Sequence, residues 1–511
     1  MKINICQINT KAANINGNKE KINSILQSSG EDTLNIFGEL SLTGSPLYNR
    51  NIYTDIYQQT SMAGDELCKS GKSFIVGTIA KSEDLLYNSL VFVDKGEVKA
   101  LATKRNLGRF DRNYSIGNGI EVLKYEGKKI AFGFYEDVLN FAKRGIEVDT
   151  LILVHNNLFD KDYDNDIERE LGNYARRLKA NIVFVSRIGV EGNFVFQGGS
   201  FVLNRNGDII LRVSEFSEAV CDIDLSVLNK NIKPIQQCYE ERIFNACVLG
   251  IRDYWAKSGI KKAVIGLSGG IDSAVVVVLA ATALGKENVT GILMPSEFSS
   301  EHSINDAKQS ADNLGIEHYV VPIQGIFSAS KEALKELLSI EAKDTTEENL
   351  QARARCMIVM AFGNRLGAAM LNTSNKSESA VGYGTLYGDD SGALGPIGDL
   401  YKEDVYKLAR WINRDKEIIP NNSITKAPSA ELHPNQKDSD TLPEYDVLDK
   451  VLKEHIENHL SYKEIVDKGY DESIVKRTLH LYNINEWKRR QEAPALRLSK
   501  TCFATDIKIN F

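Results

Sequence analysis

The sequence predicts an α/β protein with two domains, and three observations lead to this fold class. Short runs with high β-propensity alternate with helical patterns to about residue 225, as in sheets covered by helices. Beyond this point a regular strand–helix rhythm indicates a doubly wound parallel sheet. The length of 511 residues exceeds that of one typical domain. We therefore expect a first domain at 1–225, a linker at 226–240 and a second domain at 241–511.

The elements of the first domain follow from local periodicity and turn residues. Lys19–Gln27 and Asp166–Lys179 have the spacing of apolar residues that indicates a helix. Phe201–Val213 is predicted to form a hairpin, because Asn206-Gly207 favours a tight turn between two strands. Short runs with high β-propensity predict strands, for example Ile3–Ile8, Leu34–Leu40, Phe74–Ala80, Ser89–Val93, Lys129–Tyr135, Leu151–His155 and Ile182–Ile188.

The second domain shows a more regular pattern, which starts near Pro234. A long helical pattern comes first, and a compact apolar strand and an apolar helix follow it. Strands and helices then alternate, as in a parallel sheet with helical crossovers. The predicted elements are the helix Gln237–Lys257, the strand Lys261–Leu267, the helix Ala274–Leu284, the strand Val289–Met294, the helix Asn305–Leu314, the strand His318–Ile323 and a mostly helical tail beyond Leu442.

Composition excludes several functional classes. A net charge of −7 disfavours a nucleic-acid-binding surface, which needs clustered lysine and arginine. The longest apolar run, Ala274–Leu284, is roughly half as long as a membrane span, and the N-terminal residues do not resemble a signal peptide. The seven cysteines include no C-x-x-C pair, so neither a zinc site nor a disulfide framework is expected. We expect a cytoplasmic protein without nucleic-acid or membrane partners.

A glycine-rich turn joins the strand Lys261–Leu267 to the helix Ala274–Leu284. It reads Ser268-Gly269-Gly270-Ile271-Asp272-Ser273. The two glycines allow the backbone to approach a ligand closely, and N–H groups at the start of the helix suit a pyrophosphate. Ser268 and Ser273 add hydroxyl donors, and Asp272 is a suitable ligand for the magnesium ion that accompanies phosphates. A simple strand-to-helix turn is disfavoured by the complete six-residue pattern between these two elements.

A second glycine-containing segment, Gly71-Lys72-Ser73, resembles the end of a Walker phosphate loop. It is rejected because Glu66 stands where that motif requires its first glycine, and because a strand-like run follows instead of a helix. The phosphate-binding function is therefore assigned to Ser268–Ser273.

The Ser268–Ser273 loop resembles that of the N-type ATP pyrophosphatases, which split ATP into AMP and pyrophosphate while they adenylate an acid. Further segments resemble those of NAD synthetases, occur in the same order and cover essentially all of 240–505. These segments are Val248–Tyr254, Met294–Ser296, Glu348–Arg355, Asn375–Glu378, Gly382–Asp389, Pro428–Leu432, Leu442–Asp449 and Lys488–Gln491. The second domain is therefore identified as a member of the NAD synthetase family.

The resemblance implies a ligase that amidates deamido-NAD to NAD through an adenylated acid, with release of AMP and pyrophosphate. It implies ATP, deamido-NAD and ammonia as substrates, Mg²⁺ as cofactor and a homo-oligomer as the assembly. Asp272 and Glu378 match the family's magnesium carboxylates, and Lys402 matches a lysine near the reacting phosphates. The positions that match deamido-NAD contacts are Asn349, Glu378 and Lys488. The positions assigned to ATP are Gly266, Leu267, Ser268, Gly269, Gly270, Ile271, Asp272, Ser273 and Thr373.

The first domain resembles the nitrilase-type glutaminases that are fused to many NAD synthetases, which implies an α-β-β-α sandwich. Glu39 in Phe37–Gly44 matches the family's general base, and Lys104 matches the lysine that stabilises the oxyanion of the acyl-enzyme. Tyr135 stands at the position of the family's cysteine nucleophile. A phenol with a pKa of about 10 is a weak nucleophile. The triad of Glu39, Lys104 and Tyr135 is therefore expected to be vestigial.

Three further segments of the first domain depart from the glutaminase pattern. Leu107–Asp111 is shorter than the corresponding loop of the family, which helps to hold glutamine. His155–Phe159 replaces an SPF-like segment, and Phe196–Ser200 replaces an FDGGS-like segment. We therefore expect a domain without glutaminase activity that is retained for packing or assembly, and an enzyme that uses ammonia.

Three alternatives remain open at this point. The same chemistry could amidate nicotinic acid mononucleotide or another acid. The chain could instead be a non-catalytic dinucleotide-binding regulator, although such a protein has no need of two magnesium carboxylates. Glutamine could also be hydrolysed by another nucleophile such as Cys6 or Cys68, although neither follows the strand where the nucleophile belongs.

Overall fold

The structure is a computed structural model that describes residues 1–47, 53–162, 166–226, 238–338 and 344–506. The chain forms two compact units, Met1–Gln236 and Gln237–Phe511. Residues 227–237, which make up most of the predicted linker and include Pro234, lie outside the described residues.

The described residues of the first unit form strands and helices in mixed order. In chain order these are β1 (Lys2–Gln7), α1 (Ile15–Ser28), β2 (Thr33–Phe37), α2 (Tyr53–Cys68), β3 (Ser73–Ser82), β4 (Leu85–Asp94), β5 (Glu97–Thr103), β6 (Glu121–Tyr125), β7 (Lys128–Phe134), α3 (Val138–Lys143), β8 (Thr150–His155), α4 (Asp166–Leu178), β9 (Asn181–Ser186), β10 (Ile188–Glu191), β11 (Phe194–Gln197), β12 (Phe201–Leu203), β13 (Ile209–Arg212) and β14 (Ala219–Asp224). Two six-stranded sheets have the orders β14-β1-β2-β3-β4-β5 and β13-β12-β9-β8-β7-β6, and β10 pairs with β11. In both sheets the three central strands are parallel and the outer strands are antiparallel.

Apolar side chains show how the layers of the first unit pack. The alternation along β3 sends Ile75 into a cluster shared with Phe132 of the other sheet. Phe74 and Val76 point to the opposite face, where they pack with Leu26 and other side chains of α1 and α2. A third cluster joins the second sheet to α3 and α4. The first unit is therefore an α-β-β-α sandwich, which confirms the predicted fold.

The second unit begins with a long helix and is dominated by helices. Its described elements are α5 (Tyr239–Ser258), β15 (Lys262–Gly266), α6 (Ile271–Leu284), β16 (Val289–Leu293), α7 (Glu301–Leu314), β17 (Glu317–Val320), α8 (Gln324–Leu338), α9 (Thr345–Leu366), β18 (Ala368–Met370), α10 (Lys376–Val381), α11 (Lys402–Ile412), α12 (Asn421–Thr425), α13 (Tyr445–Ile456), α14 (Tyr462–Asp467), α15 (Glu472–Ile484) and α16 (Glu486–Arg489).

A parallel sheet with the order β17-β16-β15-β18 organises the second unit. The order reverses at β15, because the chain first builds the sheet towards β17 and then returns to add β18 on the other side. This is the doubly wound arrangement, and it confirms the predicted fold class. α6 follows β15 and is apolar around its whole circumference, as expected of a central helix, and nine of its residues are buried.

Most predicted elements are present with shifted ends, but one predicted strand is wrong. Ile182–Ile188 is divided into β9 and β10, because the chain leaves the large sheet at Arg187 and then pairs with β11. The elements named from the sequence also do not include α2, α3, β5, β6, β11, β14 and β18. The rejected Gly71-Lys72-Ser73 segment leads into β3, as expected. No helix within the described ranges has both the length and the apolar character needed to cross a membrane.

Candidate active site

A cavity of about 460 Å³ lies at the carboxyl ends of the parallel strands in the second unit. β15 and β18 are neighbours there although two other strands separate them in the chain, and such a reversal point leaves a crevice that commonly binds ligands. With the exception of Gly269, the residues that the sequence assigns to ATP or deamido-NAD line this cavity. They are Gly266, Leu267, Ser268, Gly270, Ile271, Asp272, Ser273, Asn349, Thr373, Glu378, Lys402 and Lys488.

The Ser268–Ser273 loop is held in shape by its own hydrogen bonds. The Ser273 hydroxyl accepts the N–H of Ser268 at 3.3 Å and donates to the carbonyl of Gly270 at 3.1 Å. The N–H of Gly270 donates to the Ser268 hydroxyl at 3.2 Å, and the two serine hydroxyls lie 3.1 Å apart. The loop thus places the N-terminus of the 14-residue helix α6 at the cavity, where its N–H groups and dipole favour an anion.

Gly269 is required at the back of this loop. Its φ of +77° lies in the left-handed region that favours glycine. A Cβ atom at this position would lie 2.2 Å from the carbonyl oxygen of Ser303, and the Ser423 hydroxyl donates to the carbonyl of Gly269 at 2.9 Å. Gly269 therefore packs against the protein, which explains why it shapes the cavity without lining it.

Asp272, Glu378 and Lys402 meet in the cavity. Lys402 Nζ lies 2.5 Å from Asp272 Oδ2 and 2.9 Å from Glu378 Oε1. Asn375 Nδ2 donates to Asp272 Oδ1 at 3.1 Å, and Asn375 Oδ1 accepts the N–H of Glu378 and so caps α10. Because two carboxylates supply only oxygen donors, this set fits the ligand preference of Mg²⁺.

Burial determines the electrostatics of this cluster. It raises the pKa of Glu378 to about 8, although the Lys402 ammonium opposes this shift. Burial also disfavours the charge of Lys402, but the carboxylates of Asp272 and Glu378 outweigh it and raise the pKa of Lys402 above its usual value. A cation beside Glu378 therefore favours its charged form, and Lys402 supplies one at this site.

Asp449, which is fully buried, sets the relative position of α10 and α11. Its carboxylate accepts hydrogen bonds from the Ser377 hydroxyl and, at 3.0 Å, from the N–H of Glu403. The Ser377 hydroxyl in turn accepts the N–H of Lys402 at 2.9 Å. The segments that carry the second carboxylate and the ammonium of the site are thus joined behind the cavity.

Asn349 and Lys488 hold a glycine-containing turn at the cavity wall. The Thr385 hydroxyl donates to Asn349 Oδ1 at 2.8 Å. Lys488 Nζ donates to the carbonyls of Gly382 and Gly384 at 2.8 and 2.9 Å. The predicted deamido-NAD positions therefore supply an amide and an ammonium to the lining, and they also fix the turn between them.

Arg355 is a candidate binding residue to which the sequence reasoning assigns no role. Its Nε donates to the carbonyl of Met294 at 3.1 Å, and burial lowers the pKa of its guanidinium. The helical period could have pointed to Arg355, because it lies on the same face of α9 as Asn349. This face lines the cavity at Thr345, Glu348, Asn349, Ala352, Arg355, Cys356 and Val359.

Lys426 is a second cation of the cavity that the sequence reasoning does not identify. Its Nζ donates to the Ser303 hydroxyl at 2.9 Å and to Asp306 Oδ2 at 3.3 Å. Glu431, in the Pro428–Leu432 segment, accepts from the same Ser303 hydroxyl at 2.6 Å. Lys426 lies in a loop, so no periodic pattern could have pointed to it.

Glu39, Lys104 and Tyr135 lie in the first unit, each just beyond the end of a strand. Lys104 Nζ lies 2.8 Å from Glu39 Oε1, and both side chains are at most 3% exposed. Asn88 Nδ2 and the N–H of Asn156 also donate to the Glu39 carboxylate, at 2.6 and 3.1 Å. Burial raises the pKa of Glu39 to about 7, with Lys104 opposing the shift. This glutamate keeps the capacity of a general base near neutral pH.

Lys104 is also bound by two further carboxylates. Its Nζ lies 3.2 Å from Asp111 Oδ2 and 2.6 Å from Glu136 Oε1. Asp111 ends the shortened loop Leu107–Asp111. Although burial opposes it, His155 and Lys104 lower the pKa of Glu136 to about 2. An ammonium has three donors, and three carboxylates lie within bonding distance of this one, so it is engaged by the protein itself.

The side chain of Tyr135 is anchored in an aromatic cluster. Its hydroxyl donates to Glu170 Oε2 on α4 at 2.7 Å. The centroid of its ring lies 4.9 Å from that of His155 and 6.1 Å from that of Phe184. The structure thus gives the residue at the expected nucleophile position a packing contact to α4.

Comparisons with known proteins match both units. A family model described as NAD synthase matches residues 243–492. The glutamine-dependent NAD(+) synthetase of Synechocystis sp. is 35% identical, and the match covers 98% of this chain and 97% of that protein. The corresponding protein of Thermotoga maritima is 34% identical, over 99% of this chain and 97% of its own length.

Solved structures extend the similarity to three dimensions. The glutamine-dependent NAD+ synthetase from Acinetobacter baumannii, solved in complex with ADP, has a TM-score of 0.79 and 31% identity, over 99% of this chain and 97% of that one. The one from Cytophaga hutchinsonii shares the fold, with a TM-score of 0.87 at 20% identity, over 100% of this chain and 97% of its own. The chain therefore belongs to the family of glutamine-dependent NAD(+) synthetases.

Proposed function

We propose that this ligase forms NAD from deamido-NAD in an ATP-dependent amidation, with ammonia as the nitrogen donor. The relatives reported above are NAD(+) synthetases by name, and they match nearly the whole chain. The observation that carries the proposal is that Asp272, Glu378 and Lys402 meet beside the Ser268–Ser273 loop in one cavity. Phosphate-binding N–H groups, magnesium-binding oxygens and a fixed ammonium then act on the same substrate.

The reaction consists of two steps. In the first, a carboxylate oxygen of the nicotinate forms a bond to the α-phosphorus of ATP, the bond to the bridging oxygen breaks, and pyrophosphate leaves. In the second, ammonia adds to the activated carbonyl carbon and loses a proton, and AMP leaves with the electron pair of the broken C–O bond. Both steps depend on charge neutralisation and alignment more than on a strong base.

The residues of the cavity around the Ser268–Ser273 loop have separate tasks in phosphate binding. N–H groups at the start of α6 and the hydroxyls of Ser268 and Ser273 bind phosphate oxygens. Asp272 and Glu378 would hold Mg²⁺, which neutralises phosphate charge when it is bound. Lys402, held by both carboxylates, keeps a positive charge beside the phosphates without reorganisation during the reaction.

The rest of the cavity suits two polyanionic substrates. Asn349 and Lys488 are proposed to contact deamido-NAD, and Thr373 is proposed to contact ATP, since all three line the cavity. Arg355 and Lys426 add two further cations to the same lining. Cations distributed along the cavity favour binding of phosphate groups from both substrates.

Ammonia is proposed as the nitrogen donor because the first unit lacks the parts that acyl transfer from glutamine needs. Tyr135 stands where a thiolate is required. Lys104, the group that would stabilise an oxyanion, is bound by Glu39, Asp111 and Glu136. Only the general-base candidate Glu39 keeps a pKa suited to its task.

Cys6 and Cys68 do not offer a replacement nucleophile. Cys6 is 1% exposed and belongs to the apolar cluster between the first sheet and its helices. Burial raises the pKa of its thiol well above the usual value, so the reactive thiolate is suppressed. Burial also raises the pKa of the Cys68 thiol.

The proposal predicts that labelled pyrophosphate exchanges into ATP when deamido-NAD is present and ammonia is absent. This result follows if adenylation precedes amide formation and is reversible. Nicotinic acid mononucleotide, tested in parallel, is expected to support much less exchange. Exchange that is absent with deamido-NAD but present with the mononucleotide would show that the substrate is the smaller acid.

A further inference from the structure

Lys376 is a completely buried lysine in the Asn375–Glu378 segment, and the proposed chemistry gives it no task. Its side chain and that of Asp399 are both 0% exposed, and Lys376 Nζ lies 2.9 Å from Asp399 Oδ1. The ammonium also contacts Glu457 Oε1 at 2.6 Å. Burying an ammonium is costly unless it is paired and hydrogen-bonded, and the fold supplies Lys376 with such partners.

The remaining contacts of Lys376 come from the end of the chain. We call residues 493–506 the C-terminal segment; it begins just after the stretch that matches the NAD synthase family model. Lys376 Nζ donates to the Ser499 hydroxyl at 3.0 Å and to the carbonyl of Thr501 at 2.7 Å. The ring centroid of Phe503 lies 5.7 Å from the same ammonium, within the range of a cation–π contact.

Asp399 binds the same segment from the other side. Its Oδ2 accepts the N–H groups of Leu498 and Ser499 at 2.8 and 2.7 Å, and its Oδ1 accepts the Ser499 hydroxyl at 3.0 Å. The C-terminal segment therefore completes the hydrogen bonds of a buried ion pair. If it left, Lys376 and Asp399 would lose several of the partners that compensate for their burial.

The ion pair is directly connected to the metal-binding carboxylates. Lys376 follows Asn375, whose side chain binds Asp272 and caps the N–H of Glu378. The N–H of Lys376 donates to the carbonyl of Leu400 at 2.8 Å, two residues before the ammonium-bearing residue of the site. Any shift of Lys376 therefore moves both the turn that holds the two carboxylates and the start of α11.

We propose that the C-terminal segment is a positioning element of the synthetase site, and that Lys376 and Asp399 transmit its effect. Through this ion pair it fixes the Asn375–Glu378 turn against Asp272, so that Asp272 and Glu378, which would hold Mg²⁺, stay side by side. Lys376 is a positioning residue, because it is fully buried and does not line the cavity. The inference rests on the proposed synthetase activity, and it assigns a task to residues beyond 492.

The test uses the full-length protein with Asp399→Asn and Ser499→Ala, and with Thr501→Val as the matched control. Thr501 lies in the same segment but contributes its carbonyl, which the control retains. We expect Asp399→Asn to lower kcat about 10-fold to about 100-fold, as for misplacement of a reacting group. Ser499→Ala should act in the same direction more weakly, and both should raise the Mg²⁺ concentration that gives half-maximal activity. Thr501→Val should behave as the unmodified enzyme.

Stability is measured alongside, as the Tm of each variant. If Asp399→Asn and Ser499→Ala lower the Tm but leave kcat and the Mg²⁺ requirement of the folded enzyme unchanged, the segment is only structural and the inference is overturned. If Asp399→Asn does not fold, the result for Ser499→Ala decides in the same way. An unmodified protein that makes no NAD would contradict the proposed function instead, so the two failures are distinguishable.

Discussion

At the scale of single residues, each unit has a buried lysine that is bound by carboxylates, but the two lysines lie in different surroundings. Lys402 and Lys104 are each 3% exposed, and each is bound by carboxylates. Lys402 lies between two carboxylates in the lining of the cavity, where we propose that substrate phosphates and Mg²⁺ bind. Lys104 is held by three carboxylates, and we propose that this ionic cluster does not act as an oxyanion site.

Asp272→Asn is expected to reduce formation of AMP and pyrophosphate by about 100-fold or more, because it removes a negative ligand at a phosphate-transfer site. The near-isosteric change should leave the Tm within a few degrees of the unmodified protein. Asp312→Asn on the exposed side of α7 is the matched control and should keep full activity. Near-normal turnover of Asp272→Asn would show that the loop has another role.

The pKa of Glu39 predicts a pH dependence of the stability of the first unit. Its folded value of about 7 lies above the usual 4.5. Between these values the folded state keeps a proton that the unfolded state loses. Stability that is present below pH 4.5 is therefore lost as the pH rises to about 7, by on the order of 3 kcal/mol.

The measurement is hydrogen exchange of the central strands of the first unit, compared between the unmodified protein and Glu39→Gln across this pH range. Tryptophan fluorescence is unsuitable, because Trp255, Trp411 and Trp487 all lie in the second unit. The difference in opening free energy between the two proteins should change steadily with pH. A constant difference would contradict the raised pKa.

The role of a single residue could be predicted from the sequence only where the residue belongs to a recognisable motif. The sequence identifies Ser268–Ser273 from glycines and hydroxyls between a strand and a helix. By contrast, the Lys402 contacts join residues 130 and 24 positions apart, and only the family resemblance pointed to them. Nothing in the local sequence indicates that Asp111 and Glu136 bind Lys104, because that contact depends on how three strand ends converge.

At the scale of elements, the order of strands determines where the site lies. The reversal at β15 puts the start of α6 beside the segment that follows β18, so the carboxylates of Asp272 and Glu378 both reach Lys402. The buried apolar strands and α6 could be predicted from their local runs of apolar residues. α1 begins at Ile15, four residues before its predicted start, because Asn14 caps a first turn that contains poor helix formers. α2 mixes its apolar positions with Gln, Ser, Thr and Gly, which hides its periodicity.

Restoring a thiol to the first unit tests the role of its strand-end loops. Tyr135→Cys is expected not to release glutamate from glutamine, because Asp111 of the shortened loop and Glu136 still bind Lys104. Tyr135→Phe is the matched control, since it removes the hydrogen bond to Glu170 without supplying a nucleophile. Both variants should form NAD with ammonium. Glutamate release by Tyr135→Cys at the rate of NAD formation would show that the pocket is still competent.

At the scale of the whole molecule, the chain matches its relatives over nearly their whole length, and we propose that only its second unit is catalytically active. The second unit contains a phosphate loop, paired carboxylates and a cation-lined cavity. The first unit has the sandwich fold, Glu39 and Lys104, and Tyr135 stands at the strand end where the glutaminase resemblance predicts the nucleophile. We therefore propose that ammonia, and not glutamine, supplies the amide nitrogen.

The most direct test compares the two nitrogen donors with the unmodified, full-length protein. Deamido-NAD, ATP and Mg²⁺ are supplied with either ammonium or ammonium-free glutamine, and NAD and glutamate are quantified by mass spectrometry. Asp272→Asn serves as the inactive control. We expect NAD formation with ammonium and neither NAD nor glutamate above background with glutamine. Equal amounts of NAD and glutamate from glutamine would contradict it and would mean that another residue of the first unit carries the acyl group.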